Sequence, residues 1–564
     1  MLLVFRTYFV KVPPPEPKKA APAATTHAGQ PEAPITPNTA APAAARGRVT
    51  LPVVQGTQAE TVTVESNLYS VSFSTQGGVV TSWILKNYRD AKNRLLDLVD
   101  VTACDTLGFP MSLNLSNSTL TAEVNQGVYV AKESSTGSGT GNDIQPGSTL
   151  TSPVTLTFTY SDGKVQVKKQ FAFGADYVTN VAVSVFDGKT DLPVEVNWPG
   201  GFGDQSLPPA MIASSSQGVY GSVGDLTTAS EGKVKEPRIV PGPLQIAGLE
   251  DKFFAGIFLP ESPDQVAFRL VRQEWTPPNW TEKEKPTPLE AGLEDTQPKP
   301  LDFRLFVGPK AVDVLKSVNP PLDSLVSFGW FSIIAKPLFF ALRFISDHWV
   351  HNYGWAIVIL TIIINMAMFP LKFKSLRAAQ EMQKVQPVIK GIQDKYKQYK
   401  INDPRKQKMN EEIMKVYSEH GINPLGSCLP MLLQLPVLYA FYAVLNVAIE
   451  LRHAPWILWV TDLSAPDRLV VFGLHIPVLV ILMTIASYFS TKLTPQPSVD
   501  PSQQRMMMMM PLIFAFMFYR LASGMVLYWL TSSVVQIGQQ VFINRRLPPP
   551  VPLPVPRKTA AAKS

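Results

Sequence analysis

The chain has 564 residues, with 51 Lys and Arg against 44 Asp and Glu, so its formal net charge of +7 is modest. This length allows two or more domains, each with its own buried core. The two cysteines, Cys104 and Cys428, have no metal-ligand spacing to a second Cys or to a His. The sequence therefore predicts no disulfide framework, no metal site and no cofactor.

The first 55 residues have little capacity to fold. Residues 1–10 are mostly apolar, but ten helical residues reach only about 15 Å, half of a ~30 Å hydrocarbon core. This segment suggests a clipped or remnant N-terminal anchor, or an incorrect start. Residues 11–55 are mostly Pro, Ala, Thr and charged residues. They cannot bury enough apolar surface, so we expect a disordered linker.

Residues 56–318 show the period-2 pattern of β-strands. Apolar and polar residues alternate in Tyr69–Ser74 and in Val154–Tyr160. Asp162 and Gly163 follow the second of these runs, and we expect them to supply the positive φ angles of a tight hairpin turn. The region predicts a large β-sandwich domain. Its stretch 281–300 is rich in Glu, Lys and Pro and is expected to be a surface loop.

The pattern becomes helical after residue 318. In residues 319–351 the apolar runs are interrupted by Lys336, Pro337 and Arg343, which predicts an amphipathic helix lying in the membrane interface. An ordinary amphipathic core helix is the alternative. Residues 352–543 carry long apolar runs that indicate an integral membrane protein. The five candidate spans are Tyr353–Leu371, Leu425–Leu445, Leu469–Phe489, Met506–Leu521 and Gly524–Ile543.

Charge placement predicts the orientation of these spans. The segment 372–427 holds 12 Lys and Arg against 6 Asp and Glu, and the tail 544–564 has five basic residues and no acidic one. Positively charged loops stay in the cytoplasm, so both should face inward and the β domain outward. Within 373–421, apolar residues spaced three and four apart predict two helices packed as an antiparallel hairpin. The seam residues are Met382, Val385, Ile389, Ile392 and Tyr396 on the first arm and Met409, Ile413 and Val416 on the second.

Five strings, in this order and spacing, resemble the YidC family of membrane protein insertases in its Gram-negative form. They are Trp355–Ile364 with Met368–Leu371, Asn423–Pro436, Glu450–Trp456, Trp459–Ser464 and Ser523–Trp529. With the β domain and the basic hairpin, the resemblance covers residues from about 56 to 546. It implies a periplasmic β-supersandwich and a five-helix transmembrane core, in the bacterial inner membrane, that encloses a hydrophilic groove and bears a cytoplasmic helical hairpin.

Polar residues recur at helical spacing inside the apolar spans, where they need partners or water. Thr361 and Asn365 are four apart on the first span, and Ser532 and Gln536 are four apart on the last. The resemblance implies that such residues converge on a groove that moves hydrophobic segments of clients from the cytoplasm into the membrane. Interhelical hydrogen bonding that only holds the bundle together is the alternative. The expected groove and client-contact residues are Thr361, Asn365, Gln434, Trp529, Ser532 and Gln536, with interface anchoring as the alternative for Trp529.

Asn365 departs from the family pattern. The family usually has an arginine at this position, and a neutral amide can form hydrogen bonds but cannot attract an acidic client as a cation does. The resemblance therefore implies a hydrophilic groove in this chain, but not a positively charged one. Lys372 and Lys374 are not assigned the missing role, because we expect them at the cytoplasmic lip.

Other classes of function lack their motifs. Residues 56–318 contain no His, and no Walker loop, His-Glu-x-x-His motif or nucleophile elbow occurs in the chain, so we predict that the protein is not an enzyme. A transporter would need paired buried charges or an inverted repeat. A scaffold for the export channel is a further alternative. The expected partners are nascent membrane-protein clients, membrane lipids, the Sec translocon and, through the basic tail and hairpin, the ribosome, without a small-molecule substrate.

Overall fold

A computed structural model describes residues 49–134, 142–144, 147–206, 216–278, 280, 285, 287–399, 403–422, 429–494 and 501–546. For residues 429–433 and 501–504 it describes the helical backbone alone. The anchor predicted at 1–10, most of the linker predicted at 11–55, Cys428 and the tail beyond residue 546 lie outside the described residues.

The described strands form three sheets and one separate hairpin, and several of them, including Tyr69–Ser74 and Gln166–Phe173, alternate buried and more exposed side chains as the sequence does. The large sheet contains, in spatial order, Asp225–Ser230, Gln217–Ser222, Ile246–Glu250, Phe254–Pro260, Leu301–Pro309, Val178–Phe186, Gln166–Phe173, Val154–Asp162, Val130–Ser134 and Asn142–Asp143, with Val53–Val54 also paired to Val154–Asp162. A second sheet, here the Trp198 sheet, contains Arg238–Pro241, Val266–Arg272, Leu289–Asp295, Glu195–Trp198 and Ser112–Asn114. A third, the Trp83 sheet, contains Leu95–Asp97, Val79–Arg89, Tyr69–Ser74, Thr61–Glu65 and Thr149–Thr151. The hairpin pairs Leu469–Val471 with Leu474–Ile476.

Aromatic contacts show how the three sheets pack. The ring centroids of Phe73 in the Trp83 sheet and Phe171 in the large sheet are 4.8 Å apart. Those of Tyr220 in the large sheet and Phe268 in the Trp198 sheet are 5.8 Å apart. The large sheet thus forms one layer and the two smaller sheets contact its face as the other, which is a β-sandwich. This confirms the β-rich architecture predicted from the alternating pattern.

A buried lysine joins two parts of this sandwich. The Nζ of Lys169 donates hydrogen bonds to the carbonyl oxygens of Gly77 at 2.7 Å, Gly78 at 3.2 Å and Met111 at 2.7 Å. Its side chain is fully buried, and burial lowers the pKa of Lys169 to about 7 because it disfavours the charged form. The three carbonyls compensate part of that loss of hydration.

Two details of the β region differ from the expectation. The hairpin loop runs from residue 162 to 165, and only Gly163 has a positive φ, of 90°. Asp162 instead accepts hydrogen bonds from the amides of Lys164 and Val165 through its side chain. The stretch 281–300 is not wholly a loop, because Leu289–Asp295 is a strand whose alternate side chains are buried. Its short apolar alternation is concealed by the polar residues on both sides.

Ten α-helices are described. They are α1 Val101–Leu107, α2 Ser118–Gln126, α3 Val312–Ser317, α4 Ser332–Ile345, α5 Tyr353–Lys395, α6 Pro404–Glu419, α7 Leu429–Val447, α8 Val478–Leu493, α9 Pro501–Phe518 and α10 Ser523–Arg546. Helix α5 is one element of 43 residues that includes Pro370 and Pro387, so the first apolar run continues into the first arm of the predicted hairpin.

By length and composition, two helical stretches within the described residues could cross a membrane, Gly329–Val350 and Tyr353–Lys395. Shorter apolar helices are Gln434–Val447, Val478–Leu493 and Arg505–Phe518. Gly329–Val350 includes α4, whose placement in the membrane interface stays a prediction. One predicted span begins too early, because residues 469–476 form a β-hairpin and the helix starts at Val478. Phe472 and Gly473 have positive φ angles and Pro477 follows, which ends helical geometry there.

A buried ion pair links the segment between α7 and α8 to the β-sandwich. The guanidinium of Arg452 pairs with the carboxylate of Asp204 and donates to the carbonyl oxygen of Arg89 at 2.8 Å. It also lies over the rings of Phe253 and Phe254, at 5.7 and 5.4 Å from their centroids. Both charged side chains are buried, so this contact is a fixed joint between the two regions.

Candidate functional site

A group of polar side chains lies between α5 and α10. Asn365 and Ser532 are both buried, and the Asn365 Nδ2 is 3.3 Å from the Ser532 Oγ. Gln536 donates from Nε2 to the same hydroxyl at 3.1 Å. Thr361, one turn before Asn365, donates to the carbonyl oxygen of Ile357 at 2.6 Å, and its own carbonyl accepts from Asn365 at 2.9 Å. Four of the six predicted groove residues therefore lie together.

Two further residues belong to this group, although the sequence did not predict either of them as a groove residue. Lys372 donates from Nζ to the Oδ1 of Asn365 at 2.7 Å, and Gln539 donates from Nε2 to the Asn365 carbonyl oxygen at 3.0 Å. Each is seven residues from a predicted member of its own helix, a spacing that returns to the same helix face. That spacing is the signal that could have found them. We call Thr361, Asn365, Lys372, Ser532, Gln536 and Gln539 the polar cluster.

The other two predicted residues make separate contacts. Gln434 on α7 donates from Nε2 to the hydroxyl of Tyr528 at 2.9 Å. Trp529 donates from Nε1 to the Oγ of Ser487 at 3.2 Å, and that hydroxyl is 3.0 Å from the Oγ of Ser533. All three polar groups involve α10, so that helix carries polar contacts to α5, α7 and α8. Its many Ser and Gln residues are the sequence feature that accounts for this.

Aromatic packing holds Trp529 on its other side. Its ring is 5.3 Å from that of Phe514 and 5.2 Å from that of Phe518, both on α9. The indole is half-buried, with its N–H satisfied by Ser487. This side chain therefore links α8, α9 and α10, and it is not aimed at the polar cluster.

Within the described residues of helices α5 to α10, two buried side-chain acceptors lack hydrogen-bond partners. They are the side-chain oxygens Oε1 of Gln434 and Oε1 of Gln539. Leaving such a group unsatisfied costs about 1–3 kcal/mol. The region between α5, α7 and α10 therefore offers sites for donors from water or from another polypeptide.

The arms α5 and α6 contact each other beyond the apolar bundle. Val385 and Ile389 are buried on α5, and the hydroxyl of Tyr396 donates to Oε1 of Glu412 on α6 at 2.7 Å. Among the other seam residues, Met382 and Tyr396 are buried and Ile392, Met409, Ile413 and Val416 are half-buried. Asp403 caps α6 by accepting from the amide of Arg405 at 2.9 Å, and Pro404 is the first residue of the helix.

The arrangement favours non-covalent work. The polar cluster holds amides, hydroxyls and one ammonium, which bind and solvate but do not form a nucleophile–base pair. In the part of the chain that the structure describes, no group of three His, Cys, Asp or Glu could hold a metal ion. A β-sandwich joined to a bundle of apolar helices with an internal polar cluster defines a membrane protein with a large domain outside the bilayer.

Two family models match the chain in succession. Residues 61–341 match the YidC periplasmic domain, and residues 344–549 match the 60Kd inner membrane protein family. Together they account for the β region and the helical region as one known combination. The protein is therefore a bacterial inner-membrane protein.

Curated relatives agree over nearly the whole length. A protein of Syntrophus aciditrophicus named membrane protein insertase YidC is 31% identical over 97% of each chain. One of Geotalea daltonii with the same name is 32% identical, over 97% of this chain and 98% of its own. A crystal structure described as an active YidC insertase with the first transmembrane domain resolved is 19% identical, with a TM-score of 0.35, and covers 87% of this chain and 94% of its own. The chain belongs to the YidC family of membrane protein insertases, a family of insertases and not of enzymes, as the sequence predicted.

Proposed function

We propose that this protein moves hydrophobic segments of newly made proteins from the cytoplasm into the inner membrane, and that the polar cluster and Gln434 form the path for the polar flanks of those segments. The observation that supports this most is the pair of unsatisfied buried acceptors, Gln434 Oε1 and Gln539 Oε1. Polar groups that cross hydrocarbon lose their hydrogen bonds to water, and acceptors inside the bundle replace part of that loss. The barrier falls without a covalent step.

The proposal includes a topology. The apolar helices α5, α7, α8, α9 and α10 would form a five-helix transmembrane core, with α4 in the interface. The β-sandwich would lie in the periplasm and the α5–α6 hairpin in the cytoplasm, because the hairpin carries the excess of positive charge. The β domain begins before the expected residue 56, because Val53–Val54, placed in the linker by the sequence, pairs with Val154–Asp162. The other boundaries would be those expected from the sequence, at residues 318, 351 and 543.

Partners follow from this orientation. Clients and lipids would meet the bundle, and exposed Arg545 and Arg546 would begin a basic cytoplasmic tail able to bind ribosomal RNA by counterion release. The protein would work alone or beside the Sec translocon. Trp529, packed against α9, would stabilise the client path without contacting the polar flank directly.

A second role for the same contacts is to hold the bundle together. Asn365 and Ser532 do bond across two helices, and such a bond contributes about 0.6 kcal/mol on average in membranes. A purely structural role does not account for acceptors that have no partner. The two roles differ in what Gln434 contributes, because one of its polar atoms is bonded and the other is not.

The test is insertion of a small single-span client into liposomes that contain only the purified protein, measured by protease protection. Gln434→Leu removes the unsatisfied oxygen and the bond to Tyr528, whereas Tyr528→Phe removes that bond alone. We expect a several-fold slower insertion with Gln434→Leu and little change with Tyr528→Phe. Thr484→Val is the matched control, since among the described residues the Thr484 hydroxyl bonds only to the carbonyl oxygen of Val480 in its own helix.

Equal defects in Gln434→Leu and Tyr528→Phe would show that the bond, and so bundle cohesion, is what matters. If thermal melting shows that the protein is folded but it inserts the client no better than empty liposomes do, the result would favour a role as a scaffold for the export channel. Asn365→Arg belongs in the same assay, because it restores the residue usual in the family.

A further inference from the structure

An apolar cavity of about 360 Å³ lies between the first half of α8 and the last part of α9. The hydroxyl of Thr484, which also lines it, is already bonded to the carbonyl oxygen of Val480. The apolar lining residues of the two helices are Val480, Ile481, Ile485, Leu512, Ala515 and Phe516. Such a wall offers dispersion contacts and few hydrogen bonds, so its chemistry suits a hydrocarbon chain.

The cavity has the length and the opening that an acyl chain needs. From Pro477 to Ile485, both of which line it, a helix rises about 12 Å, which is most of the ~15 Å depth of half a hydrocarbon core. Ile485 is 49% exposed and Phe516 is 89% exposed, so the wall of the cavity is also part of the outer surface of the bundle. A lipid chain can therefore enter sideways from the bilayer.

Two arginines lie at the end of the cavity where α8 begins and α9 ends. Arg520 directly follows Tyr519, which lines the cavity. Arg468 is brought to the same end by an antiparallel bridge between Pro466 and Ala522. Each arginine is two residues from that bridge, or about 7 Å of extended chain, and both are on the same side of it because the two segments are antiparallel.

These arginines have no counter-ion from the protein. Both are exposed, and among the described residues neither pairs with a carboxylate. Asp467, beside Arg468, instead accepts from Nε1 of Trp459 at 2.9 Å and from the amide of Leu479. Helices α7 to α10 contain no Asp or Glu. In the proposed topology both arginines face the periplasm, where the rule that places basic residues in the cytoplasm does not account for them.

We propose that the cavity and the two arginines form a binding site for one anionic phospholipid of the periplasmic leaflet. One acyl chain fills the cavity between α8 and α9, and the guanidiniums bind the headgroup phosphate. A guanidinium suits a phosphate because its planar N–H donors bind two oxygens at once. Two cations favour a headgroup of net negative charge over a zwitterionic one, whose own ammonium they repel. The leaflet follows from the proposed topology, but the site itself does not depend on insertase activity.

The experiment measures lipid binding to the full-length protein in detergent by native mass spectrometry. Phosphatidylglycerol, which is anionic, and zwitterionic phosphatidylethanolamine with identical acyl chains are titrated separately, and inorganic phosphate is titrated alone. The wild type should retain one phosphatidylglycerol at a concentration about tenfold below that needed for phosphatidylethanolamine, because charge-assisted hydrogen bonds favour it. Inorganic phosphate should not bind at these concentrations, since it has no chain to occupy the cavity.

Two variants separate the headgroup from the chain. Arg468→Gln/Arg520→Gln removes both cations, so the affinity for phosphatidylglycerol should fall about tenfold or more and the preference for it should vanish. Ala515→Leu fills the cavity while both arginines remain, so it should weaken both phospholipids alike. The matched control is Arg94→Gln/Arg238→Gln, which removes two exposed arginines of the β-sandwich and should bind lipid as the wild type does. Thermal unfolding of each variant checks that the bundle is intact.

A phosphatidylglycerol with a photoreactive diazirine in one acyl chain then locates the site, and its crosslinks should fall within residues 480–485 and 512–519. The inference is overturned if the wild type binds the two phospholipids equally or retains neither, if the Arg468→Gln/Arg520→Gln variant keeps the preference, or if Ala515→Leu binds like the wild type. Crosslinks outside α8 and α9 also overturn it, and so does inorganic phosphate that binds as tightly as the lipid. None of these measurements uses a client protein, so their failure is distinct from a failure of the proposed insertase function.

Discussion

The buried pair Arg452–Asp204 makes a strong prediction about how the β-sandwich is fixed to the helical bundle. Only 4% of the Arg452 side chain and none of the Asp204 side chain is exposed. Arg452→Met keeps most of the apolar contact with Phe253 and Phe254 but leaves the Asp204 carboxylate without its cation. Asp204 still accepts from Ser206 through Oδ1, so the carboxylate stays in place and cannot turn to water.

Removing one partner of a buried pair costs about 3–5 kcal/mol, because the remaining charge is uncompensated. If that energy appears as local opening, amide hydrogen exchange in residues 449–456 should accelerate about 10²–10⁴-fold, at 1.4 kcal/mol for each factor of ten. The assay is hydrogen exchange with mass spectrometry on the full-length protein in nanodiscs. Arg468→Met, in the same connection but exposed, is the control for loss of one positive charge.

The double variant Arg452→Met/Asp204→Asn decides whether the pair itself is responsible. We expect it to exchange more slowly than Arg452→Met alone, because no unpaired charge is left buried. If the effects of the two substitutions simply add, or if Arg452→Met exchanges like the wild type, the joint is not held by this ion pair and the reasoning fails.

Three further predictions concern single sites. Because the pKa of Lys169 is lowered to about 7 in the folded protein, the unfolded chain binds one more proton between pH 7 and 10.5, so the free energy of unfolding should rise with pH there by about 1.4 kcal/mol per unit. Urea unfolding followed by tryptophan fluorescence at several pH values checks this, and an equal slope in Lys169→Met would contradict it. Asn365→Arg should lower the melting temperature, because it places a second cation beside Lys372. Adding Lys372→Gln should restore the melting temperature. A melting temperature unchanged by Asn365→Arg would show that the two groups do not interact. Ile389→Ala, at a buried seam position, should lower the free energy of unfolding by about 2–4 kcal/mol and speed proteolysis of the hairpin. Met414→Ala, at an exposed position of the same hairpin, should do neither. Equal cleavage of the two variants would argue against a packed seam.

The sequence by itself determined the class of each region. Alternation in Tyr69–Ser74 reflects a sheet with one face buried, and three-and-four spacing from Met382 to Tyr396 reflects one buried helix face. Asp403 and Pro404 mark a helix start through local hydrogen bonding and φ preference alone. Such features depend on neighbours in the chain, so they can be read without the fold. The family resemblance added the expected groove residues, of which Thr361, Asn365, Ser532 and Gln536 do lie together.

Only the tertiary structure decided which polar groups meet across helices. Lys372 was expected at the lip, but four flexible methylenes let its ammonium reach back to Asn365, and no helical pattern encodes that choice of rotamer. Gln434 was expected with Asn365, yet the packing of α7 gives it Tyr528 as a partner instead. The Arg452–Asp204 pair joins residues 248 positions apart. Long-range contacts of this kind depend on how whole elements pack, which is a property of the assembled core and not of any segment of the sequence.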